Sequence, residues 1–372
     1  MKKLLSVLLA ALLLVSALTG CAARSEAPET PAPSAEAELS PEPEAEEPAI
    51  EETEAQAAPA VYDDGRARPS RCGQLQVLDG KLCSKSGEPV MLRGVSTNGL
   101  ITAESFLTDE LFRELAQDDG VNLFRLAMYT YGVGTVGYCA KGDKDRHKED
   151  IVKGVELARA HDMYVLIDWH ILSDGDPNTY VDEAVLFFAE MAERFSGYDN
   201  VLYEICNEPN GVDWQTVRDY AGQVIPVIRE RAPDSVIIVG TPDWSSDLYS
   251  VAADPLDYGN IMYTLHFYAA SHGQNVRDMT EELSRQGLPI FVTEYGVTAS
   301  NGGHPRDLES ADAWIELLER ENISYCLWSF SAAPEACSVI RSTVLKHSGF
   351  TWEDYTPTGQ WLMETLSKHN TL

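Results

Sequence analysis

Positions 201–210 read Val-Leu-Tyr-Glu-Ile-Cys-Asn-Glu-Pro-Asn, a short apolar run that leads to the carboxyl group of Glu208. Positions 291–296 read Phe-Val-Thr-Glu-Tyr-Gly and repeat this arrangement with Glu294. Each apolar run has the length and composition of a buried β-strand. One glutamate after a strand is commonly an ordinary loop or capping residue. The pair, with Asn207 beside the first glutamate, predicts a site built from two strand ends.

The same pattern recurs along the chain, because short apolar runs alternate with longer amphipathic segments from about residue 69. We predict strands at 90–95, 122–128, 164–169, 201–206, 236–239, 261–266, 290–293 and 325–329, and helices that include 148–161, 181–195, 214–231 and 307–321. Continuous apolar strands that alternate with helices indicate a parallel sheet covered on both faces. Roughly 300 residues of this alternation predict a single α/β domain, a (β/α)8 TIM barrel. A doubly wound open sheet is the second choice, but no glycine-rich phosphate loop follows the first strand.

The first 20 residues have the layout of an export signal. Lys2 and Lys3 precede an apolar run at 4–17 that is too short for a comfortable membrane span, and Leu-Thr-Gly then leads to Cys21. This order resembles the lipobox of bacterial lipoproteins, in which the cysteine is lipidated and becomes the new N-terminus. We therefore predict a lipoprotein signal peptide at 1–20, a lipidated Cys21 and an exported domain anchored to the bacterial cell membrane. An ordinary signal peptide cleaved nearby is the alternative.

Residues 22–68 are dominated by Ala, Glu, Pro and Ser and cannot bury enough apolar surface to offset their ordering entropy. We assign 21–68 to the lipidated Cys21 and a disordered acidic linker, as a tether or an inert spacer, and 69–372 to the folded domain. The net charge is −31, although residues 1–64 hold only thirteen of the acidic residues and three of the basic ones. Such an acidic domain argues against nucleic acid as a partner and suits a neutral polysaccharide, although the same charge also maintains solubility.

Beyond Cys21 the chain has six cysteines, which are Cys72, Cys83, Cys139, Cys206, Cys326 and Cys337. Because Cys72 and Cys83 flank a predicted hairpin at 74–82, they are the favoured disulfide pair, although the count fixes no pairing. Cys206 and Cys326 lie inside predicted strands and are expected to be small core residues. No CxxC pair or His/Cys cluster is present, so we expect neither a metal nor a cofactor.

Polar and aromatic residues cluster where the predicted strands end. In chain order they are Arg125, Asp168, Trp169, His170, Asn207, Glu208, His266, Tyr268, Glu294 and Trp328. In a (β/α)8 barrel the carboxyl ends of the strands meet at one rim, and catalytic residues lie there. The strand ends therefore predict one active site rather than scattered surface groups.

These motifs resemble those of glycoside hydrolase family 5 cellulases, within the larger clan of (β/α)8 retaining glycosidases. The resemblance runs from about residue 74 to 361. It is carried, in family order, by Arg-Gly-Val-Ser-Thr-Asn-Gly-Leu (93–100), Asn-Leu-Phe-Arg-Leu-Ala-Met-Tyr (122–129), Ile-Asp-Trp-His-Ile-Leu-Ser-Asp-Gly (167–175), Tyr-Glu-Ile-Cys-Asn-Glu-Pro (203–209), His-Phe-Tyr (266–268) and Val-Thr-Glu-Tyr-Gly (292–296).

The resemblance implies that Glu208 is the general acid/base and that Glu294 is the nucleophile. Retention needs the two carboxyl groups about 5–5.5 Å apart, with Glu208 protonated and Glu294 ionised when the bond breaks. We expect Arg125 and Tyr268 to lie against Glu294 and keep it charged. The alternatives are a purely structural ion pair for Arg125 and a packed aromatic ring for Tyr268.

Further roles follow from the same resemblance. Asn207 would donate to the sugar 2-hydroxyl, and His170 and His266 would orient the carboxylates or the ring hydroxyls. Trp328 offers a flat face on which a sugar ring can stack, although it can equally be packing under the barrel mouth. Trp244, after the fifth strand, is a candidate contact on the leaving-group side.

The chain departs from the family pattern at the sugar-binding rim. Relatives usually have histidine at the position of Asn98 and tryptophan near Thr102, and Asp and Lys where this chain has Ala332 and Ala333, while Glu335 is kept. The implied function is a retaining endo-β-1,4-glucanase, a monomer without cofactor that acts on β-glucan. Alternatives are the same mechanism on mannan, xyloglucan or xylan, and a non-catalytic glycan-binding lipoprotein.

Overall fold

The structure, a computed structural model, describes residues 60–131 and 136–369. Its centre is a closed barrel of eight parallel strands: β1 (Arg93–Ser96), β2 (Leu123–Tyr129), β3 (Tyr164–His170), β4 (Val201–Glu204), β5 (Ile237–Val239), β6 (Ile261–Tyr268), β7 (Ile290–Gly296) and β8 (Tyr325–Trp328). Each strand pairs with its sequence neighbours, and β8 pairs with β1 to close the ring. The predicted (β/α)8 barrel is confirmed, and the open sheet is excluded.

One main helix follows each barrel strand and covers the outside of the sheet. These helices are α1 (Asp109–Gln117), α2 (Lys144–Ala160), α3 (Val181–Arg194), α4 (Trp214–Arg231), α5 (Leu248–Ala253), α6 (Gln274–Arg285), α7 (Leu308–Glu321) and α8 (Pro357–His369). Shorter turns of helix lie at Pro69–Cys72, Leu100–Ala103, Glu104–Phe106, Pro177–Tyr180, Pro242–Ser245 and Trp352–Asp354. Asp143, Asp213 and Asp307 cap the amino ends of α2, α4 and α7 with their side chains. Within the described residues, no helix is both long enough and apolar enough to cross a membrane.

Alternation along the strands separates two apolar cores. On β2, Phe124 and Leu126 pack towards the helices, whereas Leu123 belongs to a second cluster that fills the barrel near the amino ends of the strands. Arg125 lies one pleat above Leu123, and Ala127 lies one pleat above Arg125. The apolar floor therefore supports a polar layer at the carboxyl ends of the strands.

Strand β7 breaks this alternation with a β-bulge. Thr264 of β6 pairs with Phe291, but His266 pairs with Glu294, so one intervening residue of β6 opposes two of β7. The side chains of Thr293 and Glu294 consequently both form hydrogen bonds with groups of the barrel interior. The bulge delivers a carboxylate and the hydroxyl beneath it to the same site.

An antiparallel hairpin, Gln76–Leu78 with Lys81–Cys83, precedes the barrel and turns at Asp79-Gly80 as predicted. Both turn residues have positive φ, which suits a tight two-residue hairpin. Leu75 and Leu82 of this region pack into the inner apolar cluster. The hairpin therefore covers the barrel at the end opposite the polar layer.

The folded domain begins earlier than predicted, because residues 60–68 pack against it. Arg68 is fully buried, forms an ion pair with Asp64, and donates to the carbonyl oxygens of Ala116 and Asp162. The predicted boundary at residue 69 is therefore too late. The predicted signal peptide at 1–20, Cys21 and the remainder of the predicted linker lie outside the described residues.

All six cysteines of the described domain are free thiols, so the favoured Cys72–Cys83 disulfide is wrong. Cys72 packs in the inner apolar cluster, whereas the Cys83 thiol points to the carbonyl oxygen of Lys81. Cys206 and Cys326 are completely buried, as predicted for small core residues.

Candidate active site

Arg125 lies at the centre of the polar layer and is fully buried. Its Nε donates to Glu204 at 2.8 Å, Nη1 donates to Glu294 at 3.0 Å, and Nη2 lies 2.9 Å from Asp168 and donates to Asn207 at 2.7 Å. Burial alone would lower the pKa of this guanidinium, but the three carboxylates raise it well above its usual value. One permanent positive charge therefore holds three strands' carboxylates together.

Glu294 is held by a different donor on each carboxyl oxygen. Tyr268 donates its hydroxyl to Oε1 at 2.7 Å, and Arg125 donates to Oε2 at 3.0 Å. Both contacts agree with the sequence prediction. Burial raises the pKa of Glu294, but the charges of His266, Arg125 and His170 and the Tyr268 hydrogen bond lower it overall. Glu294 is thus arranged to remain ionised.

Glu208 lies opposite Glu294, in the loop between β4 and α4. Its Oε1 forms a hydrogen bond with Nδ1 of His266 at 2.9 Å. Nearest-atom distances among Glu208, His266 and Glu294 are all within 4.8 Å. The separation of the two carboxyl groups therefore matches the short spacing of retaining glycosidases rather than the wider spacing of inverting ones.

Asn207 and His170 form a second line of contacts beside the carboxylate pair. Asn207 accepts from Arg125, donates its amide to the carbonyl oxygen of Ile171 at 2.9 Å, and lies 3.4 Å from Nε2 of His170. His170 bonds Asp168 through Nδ1 at 2.6 Å. His170 has no direct hydrogen bond to Glu208 or Glu294, so it orients Asn207 rather than either carboxylate.

The two predicted tryptophans lie in different environments. Trp328 is 6% exposed, and its ring stacks on that of His170 with centroids 5.3 Å apart. Of the two interpretations, this environment fits a ring packed at the barrel mouth. Trp244 is 55% exposed, and its backbone N–H donates to the carbonyl oxygen of Pro209. The structure therefore places an open aromatic face beside the loop that carries Glu208.

A cleft of about 830 Å³ lies between the loops that follow β1, β2, β3 and β8. Tyr129 lines it and connects it to the polar layer, because its ring centroid lies 4.2 Å from that of His170. Asn98 donates across the cleft to Glu335 at 3.1 Å, and Ala332 and Ala333 lie on the same wall. The altered rim residues therefore line a cavity that adjoins the site.

Three residues of this site were missed by sequence reasoning, namely Glu204, Thr293 and Tyr129. Glu204 lies inside an apolar strand, and a charged residue in such a run signals a buried ion pair with an inward-facing arginine. Thr293 carried no comparable signal, because alternation along β7 says nothing about a bulge.

Glu208, His266 and Glu294 are also close enough together to be considered as metal ligands. Nδ1 of His266 is occupied by Glu208, and its Nε2 is 2.9 Å from the hydroxyl of Thr293. Since both ring nitrogens already have partners, the arrangement fits a hydrogen-bonded catalytic pair better than a metal centre.

Comparison with known proteins agrees with this geometry. Residues 83–334 match the family described as cellulase, glycosyl hydrolase family 5. Endoglucanase A of Butyrivibrio fibrisolvens is 42% identical over 306 residues, which is 81% of this chain and 70% of that protein. An endoglucanase of Clostridium saccharobutylicum is 40% identical over 313 residues, which is 84% of this chain and 69% of that protein.

Solved structures show the same fold. The catalytic domain of Thermobifida fusca endoglucanase Cel5A, crystallised as a variant with cellotetraose, superposes with a TM-score of 0.76 at 38% identity. The match covers 81% of this chain and all of that domain.

Proposed function

Because the chain belongs to glycosyl hydrolase family 5, the cellulase family, we propose that it is a retaining endo-β-1,4-glucanase in which Glu208 and Glu294 perform a double displacement. The observation that carries the proposal is the spacing of this pair, whose nearest oxygens are within 4.8 Å. Inversion would need about 6.5–9.5 Å between the carboxyl groups to admit a water.

In the first step, an ionised Glu294 attacks the anomeric carbon while Glu208 protonates the departing glycosidic oxygen. Arg125 and Tyr268 hold Glu294 ionised and leave it oriented for attack. In the second step, Glu208 takes a proton from water, and the oxygen of that water displaces Glu294 from the anomeric carbon.

The neighbouring residues have supporting roles in the proposal. Asn207 reaches the sugar 2-hydroxyl by giving up its weakest contact, the 3.4 Å approach to His170. Trp328 stacks on His170 at the barrel mouth, and Trp244 offers its exposed ring to the sugar on the leaving-group side.

We infer β-1,4-glucan as the substrate because the related proteins are named endoglucanases, and because one was crystallised with cellotetraose. The cleft beside Tyr129 has the size to hold further glucose units. Ala332 and Ala333 offer the substrate no side-chain hydrogen-bonding group, which favours weaker binding there and keeps mannan, xyloglucan and xylan as alternatives.

Glu208→Gln and Glu294→Gln test the two roles. Each variant should fold normally and lose about 10³-fold or more in kcat on a soluble β-1,4-glucan, because each removes one half of the chemistry. Proton NMR of fresh wild-type product should show the β anomer first. Near wild-type turnover by either variant, or α product first, contradicts the assignment.

Reducing-sugar release from purified β-1,4-glucan, mixed-linkage glucan, mannan, xyloglucan and xylan tests the substrate. The highest kcat/KM is expected on a β-1,4-glucan. A protein that binds these glycans but cleaves none of them would instead be a glycan-binding lipoprotein.

We also propose that the protein is exported and anchored through Cys21, since Leu-Thr-Gly-Cys follows an apolar run at 4–17. A Cys21→Ser variant should move from the membrane fraction to the soluble fraction and lose incorporation of labelled fatty acid. Unchanged labelling would disprove lipidation at this residue.

A further inference from the structure

His266 is buried, and both of its ring nitrogens have partners. Nδ1 lies 2.9 Å from Oε1 of Glu208, and Nε2 lies 2.9 Å from Oγ1 of Thr293. Only the contact with Glu208 involves a residue that takes part in the double displacement. The second contact leads to a layer of hydroxyl and carboxylate groups beneath the catalytic pair.

The hydroxyl hydrogen of Thr293 is directed away from His266. Thr293 donates to Oε1 of Glu204 at 2.6 Å, and Glu204 is itself bound by Arg125. Burial raises the pKa of Glu204, but the charge of Arg125 and the contact with His266 lower it to about 2. Glu204 is therefore an ionised acceptor and cannot donate to Thr293.

The remaining contacts of Thr293 follow from this assignment. Its Oγ1 also contacts the hydroxyl of Thr264. Since its own hydrogen is committed to Glu204, Thr293 offers one lone pair to Thr264 and the other to His266. Nε2 of His266 therefore faces an acceptor and must carry a hydrogen.

Nδ1 of His266 faces an acceptor as well, the carboxyl oxygen of Glu208. Glu204 lies 3.8 Å from Nε2, which is beyond hydrogen-bonding distance, so it acts on the ring through the Thr293 hydroxyl. A ring whose two nitrogens both face acceptors is built for the imidazolium form.

The charged groups around the ring agree with this form. Those that face it from the packed elements are Glu204 on β4, Glu208 after β4, Glu294 on β7, and His272 after β6. Burial lowers the pKa of His266, but the three neighbouring carboxylates, Glu204, Glu208 and Glu294, raise it to about 9. Three carboxylates thus outweigh one neighbouring histidine.

We propose that Thr293 and Glu204 are positioning residues that hold His266 as an imidazolium, which fixes Oε1 of Glu208 as a hydrogen-bond acceptor and leaves Oε2 to carry the catalytic proton. The proposal rests on the acid/base role of Glu208. In the first step the proton moves from Oε2 to the glycosidic oxygen, and in the second step Oε2 takes a proton from the attacking water. His266 keeps both of its protons throughout, so it is neither a relay nor a base.

Thr293→Val tests the proposal, because valine keeps the shape and removes the hydroxyl, while Thr293→Ser restores it. The first readout is the ¹⁵N NMR shift of the His266 ring nitrogens in the free enzyme, assigned with a His266→Asn variant. In the wild type both nitrogens should be protonated at pH 7. In Thr293→Val the ring should titrate about one pH unit lower, because Nε2–H loses its acceptor.

The second readout is the pH dependence of kcat/KM on a soluble β-1,4-glucan. The alkaline limb reports the acid form of Glu208, on which the charge of His266 acts directly, so it should leave its wild-type position in Thr293→Val. Thr293→Ser should retain the wild-type limb. A purely structural role for Thr293 would lower the rate at every pH without moving the limb.

A neutral His266 in the wild type at pH 7 would overturn the proposal, and this measurement needs no variant to fold. An unshifted titration and pH profile in Thr293→Val would also overturn it. Because the NMR measurement is made without substrate, an imidazolium in an enzyme that cleaves no glucan would contradict the proposed function alone.

Discussion

At the scale of single residues, the charge of Glu294 depends on two donors that act on different oxygens. Arg125 supplies charge to Oε2, and Tyr268 supplies a neutral hydroxyl to Oε1. A hydrogen bond to a charged group contributes about 1.5–3 kcal/mol. The hydroxyl also stabilises Glu294 when it departs from the anomeric carbon, so its contribution is made during the reaction.

Tyr268→Phe should therefore lower kcat by roughly 10- to 100-fold with little change in folding. The lost hydrogen bond is one of the contacts that lower the pKa of Glu294, so that pKa should rise. Because Glu294 must be ionised to attack, the acid limb of kcat/KM should move to higher pH. Tyr249→Phe, at a half-exposed position on α5, is the control. An acid limb that stays in place in Tyr268→Phe would show that the hydroxyl does not act on Glu294.

At the scale of elements, the sequence predicted the strands well, because each is a continuous apolar run between helices. The strand predicted at 164–169 is β3 without its last residue, His170, and the helix predicted at 214–231 has the same bounds as α4. Strand ends were harder to predict. Strand β7 was predicted to stop at Thr293, but it continues through Glu294 to Gly296 because these residues pair with β6.

The bulge in β7 could not be read from the sequence. Strict alternation places Thr293 and Glu294 on opposite faces of the sheet, and only the pairing with β6 shows that both serve the interior. Arg125 and Tyr268 were predictable as partners of Glu294 because their motifs place them at strand ends. The inward direction of the Thr293 side chain depends on the bulge, and the residue types of β7 do not indicate a bulge.

Gly296, at the end of β7, shows how closely two strands approach at the site. A Cβ at this position would lie 2.5 Å from Cδ1 of Tyr268. Gly296→Ala should therefore displace the Tyr268 ring, and kcat should fall by about tenfold or more as the bond to Glu294 weakens. Gly222→Ala is the matched control, because nothing lies within 4 Å of a Cβ there in the middle of α4. The control should raise the free energy of unfolding by about 0.5–1 kcal/mol. If Gly296→Ala keeps full activity, the Tyr268 ring does not depend on the absence of a side chain at position 296.

At the scale of the whole molecule, Arg125 joins distant parts of the barrel by contacts with β1, β3, β4 and β7. The carboxylates around it are buried and would otherwise repel one another. Breaking a buried ion pair by removing one partner typically costs about 3–5 kcal/mol. Surface pairs such as that of Arg320 with Glu281 contribute much less.

Arg125→Met should therefore lower the free energy of unfolding at pH 7 by about 3–5 kcal/mol, while Arg320→Met should change it little. In the wild type the pKa of Glu204 is lowered from 4.5 to about 2, so its contribution is complete above pH 4.5 and is lost as the pH falls towards 2. Without Arg125 the buried carboxylates should instead have raised pKa values and take up protons on folding. The difference in free energy of unfolding between the wild type and Arg125→Met should consequently be smaller at pH 4 than at pH 7. Urea unfolding of both proteins at each pH measures it. If this difference in free energy does not change with pH, Arg125 stabilises the barrel by packing rather than by charge.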